Sequence, residues 1–211
     1  MRVTFTHRRA IQGRLRLLPL LLLGLAACTT PGEAPPSELQ SFGKRGFEIT
    51  QDLRVGGGLR SDFEKAIRHI EQMEYERGIE LLKKVTEAAP YAVAAHINLG
   101  IAQGHADQLE AAEASLQKAL TLAPRHPAAL NELGIILRRS GRFAEARQSY
   151  EEALRVYPDF HYARRNLAIL CDLYLSDLDC AIQHYETYSQ AVPEDESAAM
   201  WIVDLRNRAG R

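Results

Sequence analysis

The sequence contains few aromatic residues, no large excess of charge of one sign and no long hydrophobic run. Aromatic residues make up 7% and charged residues 25% of the 211 residues, as in an ordinary soluble globular chain. A membrane-spanning helix needs about 20 apolar residues, and the longest apolar run, residues 17–27, has 11. The composition therefore excludes collagen-like, disordered and polytopic membrane proteins.

Charge is distributed unevenly along the chain. Five of the 26 basic residues lie in residues 1–27, where there is no acid, and all 27 acidic residues follow. Residues 28–211 therefore carry a net charge of about −6. Because binding to a phosphate backbone requires clustered lysine and arginine, the sequence argues against nucleic acid as a partner.

The first 27 residues have the organisation of an export signal. Residues 1–16 are basic, and the apolar run that follows them ends in small residues. A run of this length is too short for a stable membrane span but is typical of the hydrophobic region of a cleaved signal peptide. We therefore expect residues 1–27 to be removed after export.

The residues at the expected cleavage site resemble the lipobox of bacterial lipoproteins. Leu25, Ala26 and Ala27 precede Cys28, and in that family the cysteine is lipidated and becomes the mature N-terminus. Several acyl chains on Cys28 would anchor the protein firmly in a membrane, since each buried CH₂ contributes about 0.8 kcal/mol to membrane binding. The next residue is Thr29 and not an aspartate, which by resemblance implies the outer membrane, facing the periplasm. The alternative is an ordinary signal peptide with a cysteine near its cleavage site.

Residues 28–58 have the composition of a tether. Prolines are frequent near its start, three glycines end it, and no apolar period is sustained between them. Proline-rich segments are extended and glycine-rich segments are flexible. We expect a linker between the lipidated cysteine and the folded part, and a short strand or helix within it is compatible with the sequence.

The rest of the chain repeats every 34 residues. Pro90, Pro124 and Pro158 are 34 residues apart, and Pro193 follows at 35. Three more columns share this register: leucines at 99, 133 and 167, small residues at 78, 112, 146 and 181, and bulky residues at 75, 109, 143 and 178. Small residues let two helices pack closely, and a proline prevents the second helix from continuing. Each copy is therefore predicted to be a helical hairpin that stacks on the next.

These columns resemble the tetratricopeptide repeat, most closely in the third copy from Asn131 to Leu154. The resemblance implies an all-α fold, a right-handed superhelical solenoid of about four hairpins over residues 59–193. The hairpins are expected at 59–92, 93–126, 127–160 and 161–193, with a capping helix in 194–211. The predicted helices are 60–72, 75–88, 93–105, 109–122, 127–139, 143–156, 161–174, 178–191 and 195–208.

In tetratricopeptide solenoids the first helices of the hairpins line a concave groove that holds a peptide or helix of a partner. The resemblance places one isoleucine per copy on that surface, at Ile67, Ile101, Ile135 and Ile169. Asparagine can pair with a peptide backbone and arginine with its acids. The alternative is that the isoleucines pack against neighbouring helices and the arginines are merely solvated. The polar residues expected beside the isoleucines are Asn98, Asn131, Arg138, Arg139, Arg165 and Asn166.

Two cysteines fall in the fourth hairpin. Cys171 lies late in its first predicted helix and Cys180 early in its second, positions that an antiparallel hairpin brings together. An exported chain meets oxidising conditions, and with Cys28 lipidated the remaining cysteines form an even pair. A disulfide is predicted if the Cα atoms lie within about 7 Å, with two buried thiols as the alternative.

No catalytic or metal-binding pattern is present in the sequence. The seven histidines do not have metal-ligand spacing, and there is neither a phosphate-binding glycine loop nor a nucleophile elbow. We expect no enzyme activity, no metal, no cofactor and no small-molecule substrate. Trp201, the only tryptophan, is predicted to fill the core beneath the capping helix.

Together these features predict a non-catalytic scaffold that binds an envelope protein near the outer membrane. Among such lipoproteins the chain resembles the pilotins of type IV pilus assembly, which help secretin subunits to assemble in the outer membrane. The alternatives are an accessory subunit of an envelope energy-transduction or transport complex, and a recruiter of a peptidoglycan enzyme.

Overall fold

The computed structural model describes three short strands and residues 56–211. The strands are β1 (Val3–Phe5), β2 (Ser37–Ser41) and β3 (Phe47–Gln51). The prediction of an all-α solenoid is confirmed for residues 56–211. The helices of that part are α1 (Gly57–Glu71), α2 (Tyr75–Ala88), α3 (Val93–His105), α4 (Leu109–Leu122), α5 (Pro127–Arg139), α6 (Phe143–Val156), α7 (His161–Leu173), α8 (Leu178–Ala191) and α9 (Glu196–Arg208).

Helices α1 to α8 form four hairpins that stack in chain order. Within the hairpins α1 packs on α2, α3 on α4, α5 on α6 and α7 on α8, and α9 packs on α8. The buried side chains form two clusters, one from the first hairpin to the start of α7 and one from the third hairpin to α9. Leu133 and Leu154 contact both clusters, so the hydrophobic core is shared along the stack, as stacking repeats require.

The small residues of the repeat lie where the two helices of a hairpin meet. A β-carbon built on Gly100 would be 2.6 Å from Cγ of Leu116, closer than two carbon atoms can approach. Ala66 and Ala168, at the same place in the outer hairpins, are fully buried. Small residues therefore set the distance between helices in each hairpin.

Each second helix ends immediately before a proline. Ala89, Ala123, Tyr157 and Val192 are the C-terminal cap residues of α2, α4, α6 and α8, and each is followed by proline. A proline disfavours helical backbone at the residue before it and has no N–H to donate. The 34-residue proline column thus marks the helix ends that the sequence predicts.

The turn inside each hairpin contains one residue in the left-handed backbone region. These residues are Met73 (φ 61°), Asp107 (φ 60°), Gly141 (φ 76°) and Ser176 (φ 54°). The fourth turn is one residue longer, and the backbone N–H of Asp177 in this turn donates to the carbonyl of Cys171 at 2.9 Å. The extra residue of the fourth copy is accommodated there without disturbing the stack.

Strand β3 pairs in parallel with β1 and antiparallel with β2, and β1 and β3 lie against α3. Strand β1 falls within residues 1–27, and β2 and β3 fall within the segment predicted to be a tether. Helix α1 begins at Gly57, two residues before the predicted boundary at 59. Cys28 and the lipobox lie outside the described residues, so signal peptide, lipidation and tether stay predictions. Among the helices that are described, none is both long and apolar enough to span a membrane.

Candidate partner-binding groove

The four predicted isoleucines lie on the first helices of the four hairpins. Ile67 on α1 is buried, whereas Ile101, Ile135 and Ile169 on α3, α5 and α7 are half-buried. All four pack against one of the two core clusters. They therefore contribute to packing between hairpins, and only part of each side chain is available to a partner.

Helix α3 is closed on the side where a partner was expected. Strand β3 lies against it, and so does β1, which belongs to the segment expected to be removed after export. Ala94, Ile97 and Asn98 are at most 4% exposed. The Asn98 side chain donates to the carbonyl of Ala94 at 2.8 Å. The open part of the surface formed by the first helices of the hairpins therefore lies towards the C-terminal end of the solenoid.

On the surface formed by the first helices of the hairpins and by α9, the exposed apolar side chains are concentrated on α7 and α9. Tyr162 at the start of α7 is 37% exposed, and Leu173 at its end is 67% exposed. Met200 on α9 is 65% exposed. These three residues and Arg165 define what we call the C-terminal groove.

The asparagines beside the isoleucines join α5 to α7. Asn166 Nδ2 donates to Asn131 Oδ1 at 2.9 Å, and Asn131 Nδ2 donates to the Glu132 carboxylate at 2.9 Å. Asn131 is 2% exposed, and burial raises the pKa of Glu132. Both amide atoms of Asn131 are therefore occupied within the molecule.

Arg139, another predicted groove residue, joins the third hairpin to the second. Its Nη2 atom lies 2.8 Å from Oδ1 of Asp107, and its Nη1 atom donates to the carbonyl of Gly104. Because Asp107 is 82% exposed at its side chain, this ion pair contributes about 0–1 kcal/mol to stability.

Arg138 and Arg165 each lie over an aromatic ring of the next unit. The guanidinium carbon of Arg138 is 5.5 Å from the ring centroid of Tyr174, and that of Arg165 is 5.5 Å from the centroid of Trp201. In both pairs the aromatic residue follows the arginine by 36 residues. A cation is attracted to the face of an aromatic ring, so both guanidinium groups are held in place.

The stacking of Tyr174 and Trp201 on arginines was not among the roles predicted from the sequence. Trp201 is half-buried and packs on Tyr185, with ring centroids 5.2 Å apart, so it fills space beneath α9 as expected and also supports Arg165. Tyr174 belongs to no distinctive motif, but its hydroxyl accepts a hydrogen bond from Arg138 Nη1 at 3.2 Å. The repeated spacing of arginine and aromatic residue is the signal that could have identified both pairs.

The buried histidines have structural roles. His126 caps α5, since its Nδ1 atom accepts a hydrogen bond from the Ala129 N–H at 3.4 Å, and burial lowers the pKa of His126 to about 4. His105 stacks on Tyr75 with ring centroids 4.8 Å apart. Burial also lowers the pKa values of His96, His105, His161 and His184.

Cys171 and Cys180 are joined by a disulfide, with their Cα atoms 5.9 Å apart. Their sulfur atoms and a carboxylate oxygen of Asp177 lie within 4.8 Å of one another, but bonded sulfurs are not thiolate ligands. Asp177 instead caps α8, with Oδ1 accepting from the Cys180 N–H at 3.1 Å. The cluster therefore closes the long turn of the fourth hairpin.

A second concavity, of about 260 Å³, lies between α4, α5 and α6. Its floor includes Leu133 and Leu137, and its rim includes Glu113, Arg142 and Glu145. Arg142 pairs with both glutamates, at 2.7 Å and 2.5 Å. Because each of these three rim side chains is already in an ion pair, none of them is an unpaired charge for a ligand.

Comparisons with known proteins agree with this architecture. Residues 91–159, the second and third hairpins, match the family model of the tetratricopeptide repeat. No curated protein matches the chain in sequence.

Solved structures with the same fold come from several bacteria. Pseudomonas aeruginosa PilF is 22% identical with a TM-score of 0.65, and the match covers 72% of this chain and 68% of PilF. MamA from Desulfovibrio magneticus RS-1 is 18% identical with a TM-score of 0.64, covering 74% and 87%. A thermophilic tetratricopeptide protein of Thermus thermophilus is 20% identical with a TM-score of 0.61, covering 70% and 80%. Residues 91–159 thus match the tetratricopeptide repeat, and the stacked hairpins of this chain share the fold of these solved structures.

Proposed function

We propose that this chain is a non-catalytic scaffold that binds another protein through the C-terminal groove. The observation that carries the proposal is the concentration of exposed apolar side chains on α7 and α9, where Leu173 is 67% and Met200 65% exposed. Solenoids of stacked hairpins use the extended concave surface formed by successive repeats for binding. Exposed apolar groups beside a charged one are the features of an interaction surface.

We propose that the scaffold acts at the outer membrane, anchored through acyl chains on Cys28 and facing the periplasm. The basic segment, the short apolar run and the lipobox-like residues before Cys28 support this location. Anchoring would keep the solenoid close to the membrane, and the segment up to residue 58 would set its reach.

Assembly of a type IV pilus secretin is the first pathway to test. The sequence resembles pilotin lipoproteins, and Pseudomonas aeruginosa PilF shares the fold. The partner would be an envelope protein whose segment lies in the groove.

Site-specific photo-crosslinking in the native cell tests the proposal. A photoreactive amino acid is placed in turn at Tyr162, Leu173 and Met200, and at Gln183 on the exposed side of α8 as a control. We expect one envelope protein to be captured from the three groove positions and not from Gln183. Mass spectrometry identifies it as a secretin subunit, a transport component or a peptidoglycan enzyme.

Equal capture at all four positions, or no capture at any, would contradict binding through the groove. A captured protein unrelated to pilus assembly would retain the scaffold and reject the secretin pathway.

A further inference from the structure

Strand β3 is the middle strand of the three-stranded sheet, whose order is β1, β3, β2. On one edge β3 pairs in parallel with β1, with Val3 opposite Ile49, and on its other edge it pairs antiparallel with β2. Residues 42–46 join β2 to β3, whereas β1 lies in residues 1–27, the segment expected to be removed after export. Removal of that segment would leave one edge of β3 without a neighbouring strand.

Helix α3, against which β1 and β3 lie, is uncharged. Among the helices that the structure describes, it alone contains no Asp, Glu, Lys or Arg. Ile97 on α3 is fully buried, whereas Arg165, two repeats later at the same repeat position, is half-buried. Loss of β1 would therefore leave a largely apolar helix surface beside the unpaired edge of β3.

An unpaired strand edge beside an apolar surface is suited to the addition of a strand. The N–H and C=O groups of such an edge are a template for pairing with another chain. An extended segment that pairs there gains main-chain hydrogen bonds, and its alternate side chains find apolar contacts below. We call the edge of β3 at residues 49–51 and the adjoining surface of α3 the strand-addition site.

The cleaved chain has no segment of its own that is suited to replace β1. Residues 28–36, which precede β2, contain three prolines, and proline has no N–H to donate to a ladder. Residues 52–56 lead from β3 to α1, and a parallel neighbour of β3 would require a crossover connection of about a dozen residues or more. A replacement strand would therefore come from another molecule.

We propose that an extended segment of a partner protein takes the place of β1 in the exported protein, pairing in parallel with β3 and lying against α3. The segment is uncharged where it pairs, because neither residues 49–51 nor α3 contain Asp, Glu, Lys or Arg, and burying an unpaired charge is unfavourable. β-Branched and aromatic residues suit a strand, and Val3, Thr4 and Phe5 of β1 are of these types. The strand-addition site is distinct from the C-terminal groove on α7 and α9, so the inference goes beyond the proposed function.

The test compares the cleaved with the uncleaved protein. The protein is purified from the native cell in a nonionic detergent, and mass spectrometry determines whether residues 1–27 have been removed. Random dodecapeptides displayed on phage are selected on this protein, and the recovered peptides are synthesised and titrated by isothermal titration calorimetry. The uncleaved chain, residues 1–211, is made by cell-free synthesis in the same detergent and titrated with the same peptides.

Three variants locate the bound peptide. In the uncleaved chain, Val3→Pro together with Thr4→Pro removes two adjacent N–H donors of β1, one of which points towards β3. In the cleaved protein, Ala94→Asp introduces a charge on α3. Tyr162→Asp, at the same repeat position on α7, is the matched control and changes the C-terminal groove instead. Circular dichroism melts verify that each variant is folded.

We expect the cleaved protein to bind peptides with an uncharged run rich in Val, Ile, Thr and aromatic residues. The uncleaved chain should bind them about tenfold or more weakly, because β1 competes as a tethered strand of high effective concentration. The double proline change should restore binding. Ala94→Asp should weaken binding to the cleaved protein by about tenfold or more, and Tyr162→Asp should leave it unchanged.

Retention of residues 1–27 in the native protein, equal binding to cleaved and uncleaved chains, or no recovered peptide would each overturn the inference. A dimer of the cleaved protein in sedimentation velocity, with no recovered peptide, would assign the strand-addition site to a second copy instead of a partner. If Ala94→Asp does not fold, the comparison of the uncleaved chain with its double proline variant decides the outcome.

Failure of this inference and failure of the proposed function are distinguishable. Binding that is lost in Tyr162→Asp but kept in Ala94→Asp would place the peptides in the C-terminal groove, which would overturn the inference and support the proposed function. Crosslinking from Leu173 and Met200 tests the proposed function without involving β3 or α3.

Discussion

Gly134 on α5 lies against the ring of Tyr150 on α6, so that a β-carbon built on Gly134 would be 2.5 Å from Cε1 of that ring. Tyr150 is fully buried and has no room to move away. Overpacking of a core costs about 1–3 kcal/mol, and we expect Gly134→Ala to lower the free energy of unfolding by about 2 kcal/mol or more. Urea denaturation measures this change in the free energy of unfolding. Gly58→Ala, where nothing lies within 4 Å, is the control and should not destabilise. An unchanged urea midpoint for Gly134→Ala would contradict the close packing.

The disulfide in the fourth hairpin should stabilise the solenoid. Cys171 and Cys180 are 9 residues apart, and closing a loop of that size contributes about 2–3 kcal/mol by restricting the unfolded chain. In a Cys28→Ser background, reductant or the double change to serine should lower the unfolding free energy by that amount. Reductant should have no effect on the double variant. Two free thiols detected in unreduced, unfolded protein would show that the bond does not form.

Met73 occupies a left-handed backbone position that favours glycine. Its φ is 61°, and its side chain is 75% exposed, so little buried contact is lost on replacement. The left-handed region costs an L-residue about 1–2 kcal/mol, partly offset because glycine is freer in the unfolded state. Met73→Gly should therefore raise the unfolding free energy by about 0.5–1 kcal/mol. Gly141→Ala, at the equivalent position with φ 76°, should lower it, and differential scanning calorimetry compares the two. A lower melting temperature for Met73→Gly, or a higher one for Gly141→Ala, would refute the assignment.

His126 should make the protein sensitive to mild acid. Burial lowers its pKa to about 4, below the value of about 6.5 in the unfolded chain. The neutral form is favoured in the folded state, so its contribution is complete above about pH 6.5 and is lost as the pH falls towards 4. Protonation also removes the acceptor that caps α5 and places a positive charge at a helix N-terminus.

His126→Asn separates this effect from other titrations. Asparagine can cap the helix without titrating, so the variant should lose less stability than the wild type between pH 7 and 4.5, by about 1–3 kcal/mol. Urea unfolding at both pH values measures the difference. Parallel pH profiles for the two proteins would show that His126 is not the responsible group.

Cys28 is predicted to carry the lipid. Cells grown with radiolabelled palmitate should label the wild type and the variant lacking both Cys171 and Cys180, but not Cys28→Ser. Fractionation should find the wild type with outer membranes and Cys28→Ser released from them, because the acyl chains provide the anchoring free energy. Label retained in Cys28→Ser would reject the lipobox assignment.

The hairpins were predictable because their determinants are local and periodic. The proline column marks the ends of α2, α4, α6 and α8, and the small-residue columns mark the helix contacts, as at Gly100 and Gly134. Predicted helix boundaries differ from those observed by at most three residues, at the start of α1. Agreement among independent columns made the repeat register unambiguous.

The contacts of the groove residues were less predictable. The position of a residue in the repeat determines which face of its helix it lies on, but not which side chain of a neighbouring unit it contacts. Asn131 and Arg165 occupy matching positions 34 residues apart, yet Asn131 is buried in a bond to Asn166, whereas Arg165 lies over Trp201. Arg138 and Arg139 are neighbours in sequence, but of the two only Arg139 reaches a carboxylate among the residues that the structure describes. These differences depend on which side chain of the next unit lies within reach.

The sequence determines the hairpin length, the helix ends, the small residues at the helix crossings and the two cysteines that could pair. It does so because proline stereochemistry and side-chain size act within one repeat. The covering of α3, the open surface on α7 and α9, and the placement of Arg138 and Arg165 on aromatic rings emerge only in the folded molecule. Exposure and charge pairing arise from contacts between repeats, and such contacts depend on packing geometry that periodicity alone does not specify.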